Sequence, residues 1–173
     1  MGFTVSGHIR IVNDPVELVP LFITFNNASY KKVYDLLSRA WMSEEEIYDQ
    51  VKEDGLDECL SLLKKGNLIE EQWRMPSSGQ KPVREYRATY SKFRANFQCN
   101  FSDLSDLIYV SISNDEALRE TVERVESEIK SGNSSIADIA RKYNVSPVFI
   151  KGLAKRIPTL DVKGQGLVLL DRT

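Results

Sequence analysis

Cys59, Cys99 and His8 are the only thiols and the only imidazole in a chain of 173 residues. They are the groups that would serve nucleophilic catalysis or soft-metal binding. A tetrahedral zinc site needs such ligands clustered at short spacing. Here the thiols stand 40 residues apart and His8 stands 51 from the nearer one, so neither a transition metal nor another cofactor is expected. Cys59 sits among Leu56, Leu60 and Leu63, where a free thiol behaves as a small hydrophobe. His8 lies in a short predicted strand, His8 to Val12, and no G-x-S-x-G or phosphate-loop pattern occurs. Enzymatic chemistry is not expected.

The cations suggest a different chemistry. The net charge is -2, but it is unevenly spread. Residues 43–71 carry -7 and 100–133 carry -5, whereas 72–99 carry +5 and 134–173 carry +4. Local potential rather than total charge decides whether a polyanion docks. The basic segments supply the candidate DNA contacts: Lys81, Arg84 and Arg87 in the first, Lys151, Lys155, Arg156 and Lys163 in the second. No apolar run approaches the roughly 20 residues that span a bilayer. Met1 to Arg10 lacks a basic flank followed by an apolar core, so a cytoplasmic protein is expected.

Elements must hold these cations. Asp14-Pro15 starts a helix, and the apolar run from Val16 to Phe25, interrupted by Pro20, implies a short or kinked segment buried on most sides. Val33, Leu36, Leu37 and Ala40 repeat at helical spacing after Ser29. Ser43 with Glu46 forms a capping box for the next helix, which carries Ile47 and Val51. Gly55 breaks the chain, Leu56 to Lys65 forms a third helix, and Gly66-Asn67 stops it. Two β-rich runs follow, Leu68 to Met75 and Val83 to Tyr90, joined by a Pro/Ser/Gly loop that carries Lys81. Three helices and a hairpin are the order of a winged helix-turn-helix.

Residues 14–90 resemble the ArsR-like winged-helix transcription regulators. The resemblance rests on Ser43-Glu44-Glu45-Glu46-Ile47, on the run from Leu60 to Ile69, and on the hairpin after it. The Pro-containing loop and the exit Tyr86-Arg87-Ala88-Thr89-Tyr90 look most like archaeal members. The paired cysteines of the metal-sensing branch are missing from the helix Glu44 to Val51, so metal sensing is not carried over. The helix that would read bases opens with Asp57 and Glu58, which phosphates repel, so the hairpin is the better DNA candidate in this half.

In the second half, Phe93 to Phe101 alternates apolar and polar residues as a strand or extended link, and Leu107 to Ser113 reads as a strand. A helix capped by Asn114 or Asp115 runs through Lys130, with Leu118, Val122, Val125 and Ile129 on one stripe. Residues 136–155 carry the marks of a helix-turn-helix. Ala140 suits the crossing, Asn144 the turn, and Val145 a buried anchor; Ser146 caps the second helix, with Pro147 at its first position. Its outward residues are expected to be Lys151, Lys155 and Arg156, with Pro147, Val148 and Lys151 reading bases, and Ser146 and Lys155 binding phosphate. Two short strands around Lys163-Gly164-Gln165-Gly166 make a second wing.

The expected fold is mainly α with small β-hairpin wings, an α+β chain of two winged helix-turn-helix domains. They would span residues 1–92 and 115–173, with 93–114 connecting them. The expected function is sequence-specific binding of double-stranded DNA at promoters, with recruitment or exclusion of the basal transcription machinery. The rival is a protein–protein scaffold of tandem winged helices in a transcription or chromosome assembly, which the acidic segment around Asp57 favours. An effector-sensing regulator is a third reading. A homodimer is expected, joined through Val16 to Phe25 and the helix carrying Leu118 and Val125.

Overall fold

The computed structural model describes residues 7–171. Most of the stretch Met1 to Arg10, on which the expectation of no signal peptide rests, therefore lies outside the described residues. The chain forms two compact units. Among the described residues, one holds 7–12 together with Thr24–Ala95; the other holds Asn13–Ile23 together with 96–171.

The first unit is built on three helices: α2 (Ala28–Leu37), α3 (Glu44–Val51) and α4 (Leu56–Lys65). Ser43 Oγ accepts from Glu46 N–H while Glu46 returns a bond to the Ser43 N–H, so the capping box sets the start of α3. Lys52 (φ 53°) and Gly55 (φ 85°) turn the chain into α4, whose Cys59, Leu60, Leu62 and Leu63 are buried. Burial pushes the Cys59 thiol up to about 12, which keeps it protonated and unreactive. A three-stranded antiparallel sheet follows, in the order β2 (Met42–Ser43), β4 (Val83–Ala88), β3 (Ile69–Arg74). One residue after β4, the strand β5 (Tyr90–Ala95) pairs in parallel with β1 (His8–Val12).

The second unit begins with Asp14, whose side chain caps a single 3-10 turn, Pro15–Glu17. The helix α1 (Leu18–Phe25) follows, its residues up to Ile23 belonging to this unit. Val16 and Val19 enter the core of this unit beside Leu107, Val110, Leu118, Ile150 and Leu153. Its other elements are α5 (Phe101–Ile112), α6 (Asp115–Lys130), α7 (Ile136–Lys142), α8 (Pro147–Arg156) and the hairpin β6 (Leu160–Lys163) with β7 (Gly166–Leu169).

Three expectations change. The stretch Leu107 to Ile112 is the end of a helix, not a strand, and Ser113 is its extended C-cap. Leu107, Val110 and Ser111 are buried at steps of three and one, while Ile108 and Ile112, four apart, share the outer side. Two helical stripes superposed in the sequence look like alternation. The boundary at residue 92 also shifts, because residues 13–23 pack with the C-terminal unit. Finally, residues of both expected dimer seams lie in the core of the second unit: Val16, Val19, Leu118 and Val125 are each at most 4% exposed, whereas Phe25 is 47% exposed.

Candidate nucleic-acid interface

The hairpin β3–β4 is fixed at its loop end by one guanidinium. Arg74 Nη1 and Nη2 donate to the two oxygens of Glu46 at 2.8 and 2.9 Å, and Nε donates to Glu85 Oε2 at 2.5 Å. Gln72 Nε2 donates to the other Glu85 oxygen at 2.6 Å. Glu85 is buried, and these donors satisfy both of its carboxyl oxygens. The Arg74 fork and the Ser43 N–H hold the Glu46 carboxyl down at about 2. Arg74, which sequence counts with the basic residues of the hairpin, is thus committed to joining α3 to β4.

One pair back from that clamp the hairpin presents Trp73 directly opposite Arg84, with the Arg84 guanidinium 4.9 Å from the ring centroid. The stack holds an exposed cation in place. Arg84 also lies 3.8 Å from Glu71, which in turn pairs with Lys64 at 3.1 Å. Lys81 stands exposed on the loop, and Arg87 is half-buried on β4. These three residues share one hairpin. On α4 the outward residues at the N-terminal end are Asp57 and Glu58, as their spacing implies.

In the second unit the turn has its expected chemistry. Asn144 adopts φ 52°, Ala140 is buried at the α7–α8 crossing, and Ser146 Oγ accepts from Phe149 N–H. What surrounds α8 is unexpected. Phe149, Ile150, Gly152, Leu153 and Ala154 are all buried, and α5, α7, β6 and the 3-10 turn pack around the helix. Pro147 is exposed, while Val148, Lys151 and Lys155 are half-buried. Ser146 also donates to Asp106 Oδ2 at 2.6 Å, so its hydroxyl is engaged twice and a carboxylate already occupies the helix start.

Arg156 is not outward. Its Nη1 donates to the carbonyls of Val110 at 2.6 Å and Ser113 at 2.5 Å, and its Nη2 to Asp115 at 2.8 Å. The guanidinium closes the unsatisfied carbonyl end of α5, a role that helical spacing on α8 alone does not reveal. Lys163 stands exposed at the β6–β7 turn. The predicted cations therefore fall into two groups: Lys81, Arg84 and Arg87 on one hairpin, and Lys151, Lys155 and Lys163 in the other unit.

The charge count alone flagged residues 72–99 but did not single out Lys92 and Arg94, which stand exposed on β5. Among the described residues no three His, Cys, Asp or Glu side chains form a metal-binding group, and no helix is long and apolar enough to cross a membrane.

The sequence model of one family, described as ArsR transcriptional regulator, matches residues 12–171. The chain belongs to the ArsR transcriptional regulator family. No curated protein and no solved structure matches it. The match takes in both units of this ArsR regulator, from the end of β1 to beyond β7. Its class is that of a transcription regulator, which is not an enzyme class.

Proposed function

We propose that this ArsR regulator binds duplex DNA at promoters through a winged-helix first unit, and that the β3–β4 hairpin is its leading contact. The observation that carries this reading is the Arg84–Trp73 stack on a hairpin clamped to α3 by Arg74. A cation held in place loses less conformational entropy when it meets a phosphate. Lys81, Arg84 and Arg87 make phosphate contacts, and the acidic start of α4 keeps that helix from close approach. Bound DNA then excludes or recruits the transcription machinery.

The second unit has a lesser role at DNA and a larger one in association. The burial of α8 supports this order, the reverse of the one its charges suggest. Lys151, Lys155, Lys163 and the exposed Pro147 remain peripheral contacts. Phe101, Ile108, Tyr109 and Ile112 lie exposed along α5, with Phe101 91% and Ile112 61% accessible. An apolar stripe of this kind fits a homodimer seam. Light scattering at micromolar concentration should give twice the 19.7 kDa chain mass. Ile108→Asp with Ile112→Asp should return it to one chain.

The test of the DNA reading compares two variants on one duplex in one salt. Lys81→Ala, Arg84→Ala and Arg87→Ala together should weaken binding and lower the salt slope by about three units, one per phosphate contact. Lys151→Ala with Lys155→Ala should cost less. A wild-type chain that binds no duplex at low salt sinks the reading. A larger loss from the α8 pair returns the leading role to the second unit.

A further inference from the structure

The β1–β5 ribbon departs from what parallel strands normally do. Parallel sheets are almost always covered on both faces, and an isolated two-stranded sheet is marginal in water. Here β1 and β5 pack chiefly on each other, and Ile9, Ile11 and Phe93 are 42%, 48% and 55% exposed. The register sets Ile9 beside Lys92 and Ile11 beside Arg94. One face therefore presents two isoleucines alternating with two exposed cations. Neither Lys92 nor Arg94 has an ion-pair partner among the described residues. No acidic residue occurs in 7–12 or 89–96.

Continuity of the chain gives this face a setting. Only Thr89 separates β5 from β4. Between Val83 and Ala95 the single acid is Glu85, which is buried and bonded to Arg74 and Gln72. Arg84, Arg87, Lys92 and Arg94 thus follow one another along an extended stretch whose only negative charge is internally satisfied. At about 3.3 Å per residue its contour is about 40 Å, comparable with the roughly 34 Å of one duplex turn. A two-stranded ribbon is also narrow enough for the major groove.

We infer that the β1–β5 ribbon is a second DNA-contacting surface, in which Lys92 and Arg94 neutralise duplex phosphates beside Ile9 and Ile11. The inference rests on the DNA reading above but concerns residues that reading does not need. An anionic lipid surface would also attract cations beside isoleucines. The duplex is favoured because the same stretch carries the cations of the hairpin.

The test uses the full chain and a mixed-sequence duplex of about 30 base pairs, titrated with salt. Lys92→Ala with Arg94→Ala should reduce the slope of log affinity against log salt by about 1.8. That corresponds to roughly 30-fold weaker binding at 0.15 M salt, a difference that vanishes toward 1 M. The loss should be the same on unrelated sequences, because phosphates carry no base identity. The charge-keeping exchange Lys92→Arg with Arg94→Lys should bind as wild type. If wild type binds and the alanine pair leaves the slope unchanged, the ribbon assignment is overturned and the hairpin reading stands. If wild type binds no duplex at 50 mM salt, both fall. If vesicles with one-third phosphatidylserine bind wild type and lose the alanine pair while duplex binding does not change, the surface is lipid-facing and the inference is wrong.

Discussion

Arg74 and Glu128 each join elements that are distant in sequence. Removal of Arg74 leaves Glu85 as a buried carboxylate without its cation, and such orphaned charges destabilise strongly. Arg74→Ala should therefore lower the melting temperature far more than Arg84→Ala, and adding Glu85→Gln should restore part of the loss. A thermal scan of the three variants checks this; equal effects of the two arginine variants would contradict it. Glu128 accepts from Lys142 Nζ, from Tyr143 Oη at 2.7 Å and from Asn133 Nδ2 at 3.0 Å, which ties α6 to α7. Lys142 first, then Tyr143 and Asn133, hold its carboxyl down at about 2. A carboxyl lowered in the folded state contributes its stability above its unfolded pKa, and loses it as pH falls toward the folded value. The loss should run from about pH 4.5 down to about 2. Glu128→Gln should be less stable at neutral pH and should flatten the melting profile through that window. Sequence spacing does not show that Glu128 would meet Lys142 and Tyr143 at the end of α7, since that depends on how α6 and α7 cross.

At the scale of elements, α8 is held against α5 at both ends and in the middle. Ser146 bonds Asp106 at one end, Arg156 closes the carbonyls of α5 at the other, and Gly152 sits at the crossing between them. A Cβ on Gly152 would lie 3.2 Å from Leu107 Cδ2 and 3.6 Å from Val110 Cγ1. Alanine gains about 1 kcal/mol of helix propensity over glycine, enough to offset a small shift of the leucine. Gly152→Ala should therefore stay within about 1 kcal/mol of wild type, and Gly152→Val should cost about 1–3 kcal/mol by overpacking. Denaturant melts separate the two cases, and a harmless valine would mean that the crossing is loose. Local signals served well here. Ser43, Asn114, Ser146 and Pro147 mark helix starts that the structure retains, because a cap is chemistry within four residues. The pairing of β1 with β5 was not legible, since the partners are 82 residues apart (His8 and Tyr90) and neither strand carries a code for the other. The end of α5 was misread because its buried and exposed apolar stripes coincide along the sequence.

For the molecule as a whole, the order of packing differs from the order of the chain. The mixed α+β character and the regulator family follow from the sequence, whereas the passage of 13–23 into the C-terminal unit does not. The apolar excess of that segment was visible, but an excess of apolar surface suits a second subunit as well as a distant part of the same chain. A fragment spanning residues 96–173 should lack Val16 and Val19 from its core and bind the dye ANS without a cooperative melt. Adding a peptide of residues 13–23 should sharpen the transition and reduce dye binding. A fragment that melts cooperatively alone would show that the N-terminal segment adds little to that core.

The same interleaving sets a timetable for synthesis. Leu18–Ile23 leaves the ribosome early, yet α8 and the β6–β7 hairpin, which complete its unit, are among the last elements made. At about 5–20 residues per second, the interval is roughly 7–30 seconds. For that time a nascent chain displays Leu18, Val19, Leu21, Phe22 and Ile23 with no finished core to receive them. Nascent chains stalled before residue 147 should therefore be bound by holdase chaperones at this segment, and chains released after residue 170 should not.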